Sequence, residues 1–159
     1  MIIDLQKHIK KKTKVYSIED GAGEITGVLQ LYDGIDDYFE VHFFNSDVKK
    51  YFPVRSNDKI RISSNQSVLS KALIDLGQKL NRKDFKFELN FYRLLHSKLD
   101  VLFIVNVIAS LSNQNSFSDE SRLMLSRCIS SLVLEVSHVY GTSIDNAKGI
   151  VGDHMRYVS

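Results

Sequence analysis

The chain has 159 residues, 43% of them hydrophobic and 25% charged, which suits one compact domain or two small ones and excludes a disordered or fibrous chain. No apolar run approaches the roughly 18 residues of a membrane-spanning helix, and the best candidate, residues 101–105, stops at Asn106. The net charge of +2 is unevenly spread: residues 1–64 carry ten charges of each sign, residues 65–98 seven basic against three acidic, and residues 99–159 four against six.

The N-terminus opens with a lysine run, Lys7, Lys10, Lys11, Lys12 and Lys14, and lacks the basic-then-apolar order of a secretory signal. From there to residue 63 the pattern is short strands separated by turns. Residues 14–18 read as a strand, and residues 19–23 as a turn with two glycines able to take positive φ. A second strand is predicted over 24–32, with Gly27 marking a bulge or bend. Asp33-Gly34 is a turn signal, and 37–44 alternate as a third strand. A fourth spans 49–54; Pro53 lacks a donor, so that strand should lie at an edge or end at the proline. A fifth covers 59–62. Five short strands at this spacing predict a small, strongly bent sheet or open barrel.

After Ser63-Ser64 the period becomes helical. Residues 66–80 place Val68, Leu69, Leu73 and Leu76 on one stripe, and 88–99 do the same with Phe91, Leu94, Leu95 and Leu99. Residues 101–111 are apolar nearly all round and predict the buried central helix. Ser118 followed by Asp119 and Glu120 starts a helix that runs to Tyr140 with Leu125, Ile129, Leu132, Val136 and Val139 as its core stripe, stopped by Gly141. Ser143 caps a last helix to about residue 157. The expected class is α+β: a β module over 1–64 and a module of about five helices over 65–159.

Catalytic constellations are weak. His8, His42, His96, His138 and His154 have no metal-ligand spacing, and Gly21-Ala-Gly23 precedes no helix that would present its N-terminus to a phosphate. Adjacent Asp36 and Asp37 would point to opposite faces of a strand. The one cysteine, Cys128, falls on a core stripe and reads as an inert buried thiol; a single cysteine also suits a reducing cytoplasm. No enzyme activity, cofactor or metal is expected. The stretch 82–96 does carry chemistry: Arg82, Lys83, Lys86 and Arg93 alternate with Phe85, Phe87, Phe91 and Tyr92. Cations neutralise phosphates and aromatics stack on bases or wedge into a groove, while Phe87 and Phe91 also fit a core stripe.

The order of these segments resembles the CarD/CdnL family of bacterial transcription regulators, whose N-terminal domain is shared with transcription-repair coupling factors. The resemblance rests on Val15-Tyr16, Gly21-Ala-Gly-Glu-Ile25, Tyr38-Phe-Glu-Val41, Tyr51-Phe-Pro-Val54 and Ile60-Arg-Ile62. In the helical half it rests on Leu95-His-Ser-Lys-Leu99, Val107-Ile-Ala-Ser-Leu111, Ser118-Asp-Glu-Ser-Arg-Leu-Met-Leu125 and Leu132-Val-Leu-Glu135. It covers residues 12–152. It implies a Tudor-like domain that binds the RNA polymerase β subunit and a helical domain that contacts promoter DNA and stabilises the open complex. The polymerase-binding positions would be Leu31, Lys49, Lys50, Tyr51 and Phe52, and the DNA-binding ones Arg82, Lys83, Phe85, Lys86, Phe87 and Arg93. The chain departs from the family in lacking its tryptophan wedge, whose place falls on Phe87 or Glu88, and its polymerase-facing arginines, which fall on Leu31 and Tyr51. The alternative is a Tudor-like protein adaptor without DNA contact.

Overall fold

The computed structural model describes residues 5–30, 37–55, 59–85, 100–114 and 118–156. They form two compact units, one up to Ser63 and one from Ser64 onward. The first holds α1 (Leu5–Lys10), β1 (Lys14–Ser17), β2 (Gly21–Gln30), β3 (Asp37–Phe43), β4 (Val48–Pro53) and β5 (Ile60–Ile62). The second holds α2 (Gln66–Leu80), α3 (Val101–Ser112), α4 (Asp119–Tyr140) and α5 (Ile144–Arg156). The α+β architecture is therefore the expected one. The helix predicted over 88–99 and the Asp33-Gly34 turn lie outside the described residues.

The five strands form one open antiparallel sheet in the order β4-β3-β2-β1-β5. Its inner face is set by period-two alternation. Phe39, Val41 and Phe43 of β3 point inward and meet Val15, Ile25, Phe52 and Ile60 in a core in which every member is 9% exposed or less. Ile25 and Val28 are three residues apart and would face opposite sides of a regular strand. The register slips between Ile25 and Gly27, so Ile25 still faces Val41 while Val28 faces Phe39 and packs on the same core. The bulge expected at Gly27 thus corrects a parity mismatch. Pro53 is the last residue of β4, and β4 is an edge strand, so both expectations for the proline hold.

Two features of this unit differ from the sequence expectation. β2 starts at Gly21, not Glu24, because only Gly21 has positive φ (82°). Gly23 is a strand residue needed for closeness: a Cβ there would sit 2.6 Å from the His42 carbonyl oxygen. Helix α1 forms within the lysine run. Its Ile9 packs on the sheet core, and His8 lies edge-on to Phe39 at 6.0 Å while its Nδ1 meets the Thr13 hydroxyl at 3.1 Å. Tertiary contact stabilises a helix too short to persist alone.

In the second unit, capping follows the sequence closely. Asn65, Asp100, Ser118 and Ser143 each accept a backbone N–H three residues on, and Gly141 ends α4 at φ 61°. α3 is the buried helix, with Ile104, Val105, Ile108 and Ala109 fully inaccessible. Val68, expected on the α2 core stripe, is 43% exposed, and the buried face runs through Leu69, Ala72, Leu73, Leu76 and Leu80. On α4, Leu132 and Val136 are buried as expected, whereas Leu125, Ile129 and Val139 are only half-buried. Cys128 is buried. Glu135 is fully buried, and its Oε1 accepts the Ser64 N–H at 2.6 Å, one residue before the α2 N-cap. A carboxylate at the positive end of a helix dipole is favourable, and here it ties α4 to the start of α2.

Gly23→Ala should destabilise the sheet unit by about 2 kcal/mol, the order seen for overpacking a tight site, read as a lower urea midpoint at unchanged slope. An unchanged midpoint would show that the β2–β3 contact relaxes without cost.

Candidate functional site

The polar face of the sheet is built by the residues that alternate with its core. Tyr38, Glu40 and His42 of β3 point outward because Phe39, Val41 and Phe43 point in. Glu40 stands directly opposite Tyr51 on β4 and Gly27 on β2. Its carboxylate gathers three donors: the Thr26 hydroxyl at 2.7 Å, the Lys49 ammonium at 3.0 Å and the Tyr51 hydroxyl at 3.0 Å. Beside it, His42 Nε2 meets Asp47 Oδ1 at 2.6 Å, and the His42 ring lies edge-on to Phe44 at 6.1 Å. The Lys14 ammonium bonds Glu24 at 3.1 Å and sits 4.7 Å from the Phe44 ring centre. Asp47 takes positive φ (54°) in the loop between β3 and β4, a conformation aspartate tolerates. On the inner face, beyond the core, Lys50 bonds Asp20 at 2.6 Å.

The Glu40 cluster has a clear electrostatic signature. The Thr26 hydrogen bond does most to hold the Glu40 carboxyl below the usual carboxylate range, and the Lys49 bond is next. Partial burial opposes them, and the Tyr51 bond lowers it further. The same bond from Tyr51, with the negative charge of Glu40, pushes the tyrosine hydroxyl above its ordinary value. The contribution of Glu40 to stability is therefore present above the unfolded carboxylate value and is lost as pH falls through the lowered folded one. Tyr51 runs the other way: its contribution holds below the unfolded phenol value and is lost as pH rises through the folded one.

Along β4, residues 48–51 are all exposed, and no strand lies beyond β4 among the described residues. Lys49, Lys50 and Tyr51, expected to face a partner, are on this accessible edge, with Tyr51 50% exposed. Phe52 differs from its exposed neighbours. Its side chain is 9% exposed and stacks edge-on against Phe43 at 5.9 Å, so it holds the core and offers a partner only its main chain. Leu31 lies outside the described residues. In the lysine run, Lys7, Lys11 and Lys12 are exposed.

In the helical unit, Arg82 and Lys83 are exposed just after α2, in a turn closed by the Phe85 N–H on the Arg82 carbonyl at 2.9 Å. Asn113 Nδ2 donates to the same carbonyl at 3.0 Å, fixing the turn to the end of α3. Phe85 is half-buried, with the Lys79 ammonium 5.3 Å from its ring centre. Lys79 is itself held by Asp75 at 2.6 Å and by the Asn106 side-chain oxygen. Lys86, Phe87 and Arg93 lie outside the described residues. Among the described residues, no group of three His, Cys, Asp or Glu side chains is placed to hold a metal ion. No helix among them is long and apolar enough to cross a membrane. No protein-family model matches the chain, and no curated protein is significantly similar to it.

Sequence reasoning missed the Glu40 cluster. Its signal was present: an outward glutamate on one strand and a Lys-x-Tyr pair on the next, which register alone brings together. The Glu40 carboxyl should titrate below the ordinary carboxylate range by NMR, and Thr26→Ala should move its midpoint upward. An unmoved midpoint would mean the hydroxyl contributes nothing.

Proposed function

We propose that the chain is a CarD-like regulator: its sheet unit binds the RNA polymerase β subunit, and its helical unit contacts promoter DNA and stabilises the open complex. The observation that carries the reading is the open β4 edge. A sheet edge leaves a row of main-chain N–H and C=O groups without a strand partner, and an incoming strand satisfies them, with side chains on alternate positions giving specificity. Four exposed residues in a row on β4, including Lys49, Lys50 and Tyr51, are consistent with such a docking edge. The Glu40 cluster supports the same reading, because it holds Lys49 and Tyr51 in one arrangement before any partner arrives, which lowers the ordering cost of binding.

The DNA half rests on the cations of the 82–93 stretch, of which Arg82 and Lys83 are exposed. Phosphate contacts give affinity that is largely independent of sequence and steeply dependent on salt. A few such contacts are weak alone, so polymerase serves as the tether that raises the local concentration of the helical unit at the promoter.

The test uses the full chain. Lys50→Ala with Tyr51→Ala should weaken retention on polymerase about tenfold, as loss of a modest interface hot spot does, with the thermal midpoint little changed. Glutamate at either position would set a carboxylate against Asp20 or Glu40, so alanine is the cleaner probe. Equal retention would overturn the β4 surface. If Lys83, Lys86 and Arg93 each neutralise a phosphate, binding to a forked promoter duplex should fall with a log–log salt slope of roughly −3. Lys83→Glu should then reduce the slope by about one and shorten the open-complex lifetime. An unchanged lifetime with wild-type protein would leave a polymerase adaptor without DNA contact.

A further inference from the structure

Helices α4 and α5 are joined through Gly141 and pack on each other, and the open groove between them has a volume of about 430 Å³. Its walls are Ile129, Val133 and Leu134 of α4 and Val151 and Met155 of α5. Ser130 and Lys148 are the residues with polar side chains that line it. Lys148 is exposed and makes no salt bridge with any described residue, whereas Lys14, Lys49, Lys50 and Lys79 each hold a carboxylate. At the end nearest Gly141, Ile144 stays 48% exposed beside the groove.

We propose that this groove binds a single aliphatic chain bearing an anionic head, the chain lying between the helices and the head on Lys148. Three observations select this occupant. First, an apolar trough with one cation matches an amphiphile in charge as well as in shape. Second, the volume lies in the range of small-molecule pockets. Third, the α5 side of the trough runs from Ile144 to Met155, about 16 Å at the helical rise, and Gly152 on that side leaves it open: a Cβ there meets nothing within 4 Å. The site lies wholly in the helical unit and is independent of the β4 edge.

The experiment titrates sodium dodecanoate, kept below its aggregation concentration, into the full chain by calorimetry. One saturable site is expected, with affinity in the micromolar range. Gly152→Leu should abolish binding by filling the trough. Leucine is also a better helix former than glycine, so the variant should fold at least as well. Ile144→Glu sets a carboxylate at the rim, on an exposed first-turn position where the helix dipole favours it, and should also abolish binding. Lys148→Met should weaken binding about tenfold, the size of one charge-assisted hydrogen bond at a partly solvated site. Equal binding by wild type and both groove variants, or by wild type and Lys148→Met, would overturn the assignment. So would sedimentation with phosphatidylglycerol vesicles without dodecanoate binding, which would mean adsorption to a lipid surface instead of capture of a chain.

Discussion

The sheet unit depends on one constraint, the strict alternation of β3. That strand lies between β2 and β4, and its three inward residues form the centre of the core. A one-residue slip would expose Phe39, Val41 and Phe43 and bury Tyr38, Glu40 and His42, exchanging apolar burial for desolvated polar groups. Each inward phenylalanine or valine contributes roughly 1.5–3 kcal/mol by burial, so the slip is forbidden several times over. The outward set therefore has fixed positions, and Glu40 lies opposite Tyr51 and within reach of Lys49 as a consequence of core packing.

The same constraint explains the bulge. β2 offers Ile25 and Val28 to the core, a spacing that no regular strand serves, and the additional residue at Thr26–Gly27 shifts the parity between them. Thr26 then stands on the Glu40 side with its hydroxyl on the carboxylate. A packing correction on one face thus supplies a hydrogen bond on the other. The chemistry of the polar face is inherited from the hydrophobic pattern beneath it.

Most of the architecture was legible because it rests on periods and punctuation. Strand positions, the edge placement of Pro53, the Gly27 bulge, the buried α3 and the Ser118, Ser143 and Gly141 boundaries all have local signals. What escaped was non-local. α1 lies in a lysine run with little apolar periodicity and is held by Ile9 and His8 against a sheet that the sequence had yet to build. Gly23 looked like a turn residue because the His42 carbonyl that requires it arrives from another strand. The Glu40 cluster and the α4–α5 groove join residues far apart in sequence, and no spacing rule along one segment finds them.

Both units hold a buried charge as well as surface pairs; in the sheet unit Arg61 of β5 is 1% exposed, with its guanidinium 4.8 Å from the Tyr16 ring centre. In the sheet, cations are consumed locally: Lys14, Lys49 and Lys50 each sit on a carboxylate. These pairs are partly exposed and contribute little to stability; their effect is to hold side chains in place. In the helical unit the buried charge is structural, since Glu135 binds the Ser64 N–H and anchors the start of α2. The α2 C-terminus then sets the turn that carries Arg82 and Lys83, while Lys79, held by Asp75, covers Phe85. A buried carboxylate at one end of α2 thus fixes the helix whose other end presents the exposed cations. Arg82 and Lys83 follow α2 in a turn that Asn113 ties to the end of α3, so their main chain is anchored from two helices.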